Sequence, residues 1–331
     1  MRRQTFFLLA LIAIIVIAIA IGILRSFGQT DRMNTEEKEG STIKVISSIY
    51  PYDDFASIIG GDDVDVSLLL PPGADAHHFD PSPQDLIALE NADIVFYTSD
   101  VMEPWMEQIR ETINGPTFVS LVEMDEFHLS DEEDHEHEEE SEDHEEGHED
   151  DHDHMGVDPH IWLDFEMAQV IAGRISNILT ETHPESADSF SAETEELIAD
   201  LDALDQRYGE VLENCENRVL IQGGHRSLGY LADRYHIPYY APVGVHEDAE
   251  PTPNDIAEVI EVMRETGVQA VYHDILNAST YAKAISNETG ASIYQIYTAH
   301  NVKKSDIEQH RHFIEIMEWN LMQLKEGLVC R

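Results

Sequence analysis

The chain has 331 residues and carries 67 acidic against 19 basic ones, a formal net charge of −48 at pH 7. That length suits two lobes of ordinary size, each able to bury its own core. The charge argues against nucleic acid as a partner, because a phosphate backbone is neutralised by Lys and Arg, and it suits the attraction of cations instead.

Residues Phe6 to Leu24 form an uncharged run preceded by Arg2 and Arg3. Such a run is long enough to cross a hydrocarbon core of about 30 Å as a helix, and the arginines favour an N-terminus inside and the rest of the chain outside. A cleaved signal segment is the alternative reading, although no small-x-small site follows the run. Residues 1–25 are therefore expected to be a membrane anchor or signal segment, with the soluble lobes outside the cytoplasm, and residues 26–41 a polar tether.

From Thr42 short β-rich runs alternate with helical stretches. Strands are expected over Thr42–Tyr50, Val64–Leu70, Ile94–Thr98 and Thr117–Val122. Helices are expected over Asp53–Ile59, Pro83–Ala92 behind a Ser82 cap, and Pro104–Ile113. Strands alternating with helices predict a largely parallel sheet covered on both faces.

A tract from Asp131 to His154 then holds 16 Asp or Glu and six His without an apolar side chain, so it has nothing to bury. His135, His137, His144, His148, His152 and His154, with His128 just upstream, read as a weak, multiple metal collector; a solvated acidic linker is the bland alternative. Outside the tract 51 acidic residues still face 19 basic ones, of which only six are Lys. A Lys-poor acidic surface is what solubility in concentrated salt selects, because salt screens self-repulsion; a scaffold that only attracts metal is the rival account.

Ordered structure is expected to resume at Val157 with helices over Phe165–Thr182 and Pro184–Glu213. In the second, Leu197, Leu201, Leu204 and Tyr208 recur at helical spacing, and a helix of that length reads as a strut between lobes. The alternation restarts with strands or extended runs over Arg218–Gln222, Pro238–Val243, Gln269–His273 and Ser292–Tyr297. Helices are expected over Ser227–Tyr235, Asn254–Thr266, Ser279–Thr289 and Asp306–Leu328. The expected fold is α/β, with two lobes that each hold a mainly parallel sheet flanked by helices, joined by one long helix. The lobes fall at 42–183, containing the acidic loop 128–154, and 214–331, with the linking helix at 184–213. Two cysteines, Cys215 and Cys330, are too few and too far apart for a CxxC metal motif, and spacing leaves open whether they pair.

Three histidines stand at strand ends or in the loops that follow, the edge where open α/β sheets bind ligands. His77, beside His78, lies in PPGADAHHFDPSP; His160 follows Pro159 in GVDPHIWLD; His225 follows VLIQGG. Neutral imidazole is the commonest metal ligand, and three His plus one further oxygen or nitrogen donor suit tetrahedral zinc, whereas manganese favours carboxylate. For each His alone, a surface or structural role is the more ordinary reading.

From Ile43 to Leu328 the chain resembles the metal-specific substrate-binding proteins of ABC importers, the zinc and manganese group called cluster A-I. The resemblance rests on PPGADAHHFDPSPQD, NADIVFY, DPHIWLD, HPESADSF, GGHRSLGYLADRYHIP, AEPTPNDIAEVI and IMEWNLMQLKEGL in that order. It implies Zn2+ as the transported ligand, with Mn2+ or Fe2+ as second choices, and an ABC importer permease as partner. Carried onto these residues, it implies metal ligands at His77 (Ala76 standing where the family has Pro, His78 a possible substitute), His160 and His225. Manganese members commonly have Glu at the position of His225. The family's fourth ligand, an Asp after the last strand, falls near Ala299; His300 is the nearest substitute, with Asp274 and His273 as alternatives. A zinc hydrolase is the rival from another class, but no HExxH occurs and no Glu sits in a motif suggesting a general base, so no enzymatic role is expected. A surface adhesin is a further rival, because related proteins are reported in that role.

Overall fold

A computed structural model of the protein describes residues 42–122, 157–244, 251–277 and 279–331. The expected membrane segment and tether, and the acidic His-rich tract with its six histidines and His128 upstream, lie outside the described residues. Among the described residues no helix is long and apolar enough to cross a membrane.

In the first lobe β1 (Ile43–Ser47) pairs in parallel with β2 (Val64–Leu68) and β3 (Ile94–Tyr97), and β4 (Thr117–Ser120) pairs in parallel with β3, giving the order β2-β1-β3-β4. Parallel strands need long crossovers, and these are supplied by α1 (Tyr50–Gly60), α2 (Pro83–Glu90) and α3 (Met106–Thr112). Ser82 caps α2 through a reciprocal capping box with Asp85. Alternate strand residues serve opposite faces. Val45 and Phe96 enter one apolar core, while Ile46 and Val95 enter another closed by Leu89, Met106 and Ile109.

A 3-10 turn at Ile161–Leu163 leads into α4 (Phe165–Thr182), whose first backbone N–H groups are capped by Asp164. The long helix α5 (Ala187–Leu212) has 26 residues and spans about 39 Å at about 1.5 Å per residue. Its start lies three residues after Pro184, because Pro184–Ser186 forms a separate 3-10 turn. The stripe of Phe190, Leu197, Leu201, Leu204 and Tyr208 is buried in the same core as β1 and α4, and Tyr208 Oη donates to the Met317 carbonyl at 2.6 Å.

The second lobe holds β5 (Leu220–Ile221) paired in parallel with β6 (Tyr239–Tyr240), and β7 (Ala270–Asp274) paired in parallel with β8 (Ser292–Ile296). A parallel bridge between Gln222 and Tyr272 joins the two pairs, so the running order is β6-β5-β7-β8, the first lobe's order repeated. Its helices are α6 (Gly229–Arg234), α7 (Pro253–Thr266), α8 (Thr280–Thr289), α9 (Lys304–Glu308) and α10 (Phe313–Gly327).

The single closing helix expected over Asp306–Leu328 is two helices, broken where His310 turns left-handed at φ 51°. Tertiary partners hold that break. Asp54 of α1 accepts from Phe313 N at 2.8 Å and faces His312 Nδ1 at 2.9 Å, while buried Asp306 takes Tyr297 Oη and Arg311. Cys215, just beyond α5, forms a disulfide with Cys330, which pins the C-terminus to the end of the strut.

Candidate metal centre

The three histidines singled out by motif arrive on three different loops. His77 lies in the loop after β2, where Asp75 Oδ1 accepts from His77 N at 2.7 Å and His78 N at 3.2 Å and so folds the turn. His160 follows Pro159 and is fully buried beside Trp162, with ring centroids 5.4 Å apart. His225 follows β5 through Gly223 and Gly224. A Cβ on Gly223 would stand 2.5 Å from the Ala282 backbone, so only glycine lets α8 approach this turn.

One ring nitrogen from each of His77, His160 and His225 lies within 4.8 Å of the other two. Ring centroids are 5.7 Å apart for His77–His160, 6.2 Å for His77–His225 and 5.4 Å for His160–His225. The Nε2 atoms of His77 and His160 are buried without a hydrogen-bond partner, a costly arrangement that a bound cation would relieve. Tetrahedral zinc at about 2.05 Å from nitrogen places its ligands about 3.3 Å apart, so the trio, within 4.8 Å, needs a contraction of no more than about 1.5 Å to hold it.

Asp158 sets the chemistry of His160. Its Oδ1 lies 2.7 Å from His160 Nδ1 and also accepts from His160 N at 2.9 Å. A carboxylate only accepts, so Nδ1 carries the proton and Nε2 presents its lone pair to the cluster. Burial, reinforced by neighbouring His160, holds His77 far below the ordinary imidazole value, so it stands neutral and ready to ligate. Burial likewise brings His300 down to about 4, against the opposing pull of Asp274.

The remaining sequence candidates are not among the three whose ligand atoms converge within 4.8 Å. His300 is buried outside the set of three, with Nδ1 2.7 Å from Thr298 Oγ1. Asp274 is filled by protein donors, its Oδ1 accepting from Leu276 N and its Oδ2 from Thr298 N and Oγ1. His273 Nδ1 faces the carbonyls of Asp274 and Asn277. His78 is half exposed beside Asp75. Asp75, His78, Gln222, Gly224, His225 and Asp274 line a cavity of about 350 Å³, which meets the trio at His225. Sequence reasoning missed Asp158 and Thr298. The first carries a signal, an Asp two residues before a His; the second carries none that marks it, because Asp274, to which it donates, lies on a different strand.

The sequence from residue 45 to residue 327 matches the family described as zinc-uptake complex component A, periplasmic. The chain is similar to the high-affinity zinc uptake system protein ZnuA of Bacillus subtilis, 28% identical over 318 residues, covering 96% of this chain and 97% of that one. It is also 27% identical over 294 residues to the zinc-binding protein AdcA of Streptococcus pyogenes serotype M3, covering 86% of this chain but only 55% of the longer relative. Among solved structures, the metal-dependent lipoprotein YcdH of Bacillus subtilis superposes with a TM-score of 0.70 at 25% identity, over 87% of this chain and 99% of that one. The chain belongs to the zinc-uptake complex component A family.

Proposed function

We propose that the protein captures zinc between its lobes and hands it to the permease of an ABC importer. His77, His160 and His225 are the ligands and His300 is the fourth donor. The carrying observation is the convergence of three imidazole nitrogens from three loops to within 4.8 Å of one another. Family membership supports zinc as the cargo, and so does the donor set, since three neutral nitrogens without a carboxylate suit zinc better than manganese. The role is that of a carrier rather than a catalyst. Asp274 has both carboxylate oxygens filled by protein donors, which leaves it poorly placed as a general base. The working units of this reading are a first lobe at 42–183, a linking helix at 184–213 and a second lobe at 214–331. Residues 1–25 anchor them outside the cytoplasm, and the histidines from His128 to His154 collect metal weakly near the cleft.

Competitive zinc titration tests the reading. One tight equivalent is expected to survive deletion of residues 131–154 and to vanish in His160→Ala. Tight binding that disappears with the tract and persists in His160→Ala sinks the cleft site.

A further inference from the structure

The structure points to a role for two residues that touch no cargo. We propose that Asp274 and Thr298 are positioning residues, a relay that holds His300 with Nδ1 protonated and Nε2 bare so that His300 completes the shell begun by His77, His160 and His225. This rests on the zinc-capture reading above and adds a mechanism to it.

Hydrogen counting carries the argument. Thr298 Oγ1 lies 2.8 Å from Asp274 Oδ2 and 2.7 Å from His300 Nδ1. A hydroxyl has one proton to give, and the Asp274 carboxylate can only accept, so that proton goes to Asp274. His300 Nδ1 must then donate to the Thr298 oxygen, which leaves the lone pair on Nε2. The same tautomer is imposed on His160 directly by Asp158 at 2.7 Å. Two buried histidines on opposite lobes are thus set the same way by two carboxylates, one in contact and one through a hydroxyl. The hydrogen bonds that fill both oxygens of Asp274 also explain why it serves as an anchor rather than as a ligand.

The backbone around the relay is built to hold His300 against the first lobe. Ala299 is fully buried and left-handed at φ 62°, an unfavourable state for a residue with a Cβ. Four bonds stitch this turn to first-lobe segments that carry or flank the other ligands. Tyr50 N donates to the His300 carbonyl at 2.9 Å, and Trp162 Nε1 donates to the Thr298 carbonyl at 2.8 Å. Asn301 Nδ2 donates to the carbonyls of Pro71 and Ala74 at 2.7 and 2.8 Å, in the loop that bears His77. Trp162 lies two residues beyond His160. Strain held at one buried turn and fixed from several sides is the pattern of a pre-set functional position.

The test uses full-length protein with zinc competition and the visible spectrum of one equivalent of Co2+. Thr298→Val keeps shape and removes the hydroxyl. It is expected to weaken zinc about 10-fold to 100-fold and to shift the Co2+ bands away from a four-coordinate pattern, with Thr298→Ser restoring both. Asp274→Ala removes the acceptor and should free the Thr298 proton to turn toward His300 and move the imidazole proton to Nε2, visible in 15N–1H correlations of the metal-free protein. In a His300→Ala background Thr298→Val should add nothing. Wild-type affinity and spectrum in Thr298→Val, an unchanged tautomer in Asp274→Ala, or full additivity with His300→Ala overturns the relay while the three-histidine site stands. Tight zinc retained by His160→Ala would instead overturn the site itself.

Discussion

At the scale of single residues, the centre depends on small features that let larger ones meet. Gly223 is the sharpest case, because the space a Cβ would need is held by Ala282 at 2.5 Å. Gly223→Ala must displace either α8 or the turn that carries His225. It is expected to cost about 1–3 kcal/mol in denaturant unfolding and to weaken zinc in the same protein. Unchanged stability and affinity would mean that the turn absorbs the methyl group and is not a fixed support. The glycine pair was visible in the sequence as a turn signal, but the neighbour that makes Gly223 irreplaceable comes from a helix more than fifty residues later. Local pattern shows that a chain bends; only packing shows what it bends around.

At the scale of elements, Arg234 joins three of them. From the last turn of α6 its guanidinium grips Asp205 of α5 through two bonds of 2.6 Å, and its Nη1 reaches Asp164, the cap of α4, at 2.9 Å. Tyr235 Oη adds a bond to the same Asp205 carboxylate at 2.7 Å. The Arg234 side chain is 18% exposed and Asp205 is 20% exposed, so solvent screens the pair only in part. Arg234→Met is expected to cost about 2 kcal/mol, the range for hydrogen bonds to charged groups. Hydrogen bonds from Arg234 hold the Asp205 carboxyl below its ordinary value. A depressed folded-state value stabilises above the unfolded carboxylate value of about 3.9 and is lost as pH falls through the folded one. The stability gap between wild type and Arg234→Met should therefore be full near neutrality and close in acid. A gap of constant size down to pH 2 would assign the loss to packing of the arginine stem instead.

At the scale of the whole molecule, two features stand out. One apolar core runs from β1 through α4 and α5 to α10, so both lobes and the strut share a single buried mass, while each sheet turns its other face to a core of its own. Charge is the second feature. With a formal −48 spread over the chain, self-repulsion opposes the folded state and screening relieves it. The metal-free protein is expected to melt several degrees higher in 1 M than in 0.05 M KCl, followed by circular dichroism. A melting point that stays level or falls would show that the acidic surface is already neutralised by local pairing.

The sequence by itself determined the alternation of strands and helices, the two-lobed α/β plan, the long strut and three of the histidines. These are carried by local periodicity, by Pro and Gly punctuation and by motifs a few residues long. Tertiary structure decided the rest, because its causes lie far apart in the chain. The break in the closing helix follows from Asp54, a residue of the first helix. The pairing of Cys215 with Cys330 follows from the strut's end meeting the C-terminus, which no spacing encodes. Sequence motifs ranked His300 ahead of Asp274 as the fourth donor; the proposal that His300 fills that place rests on a Thr298 hydroxyl held between the two, a contact that no local pattern encodes.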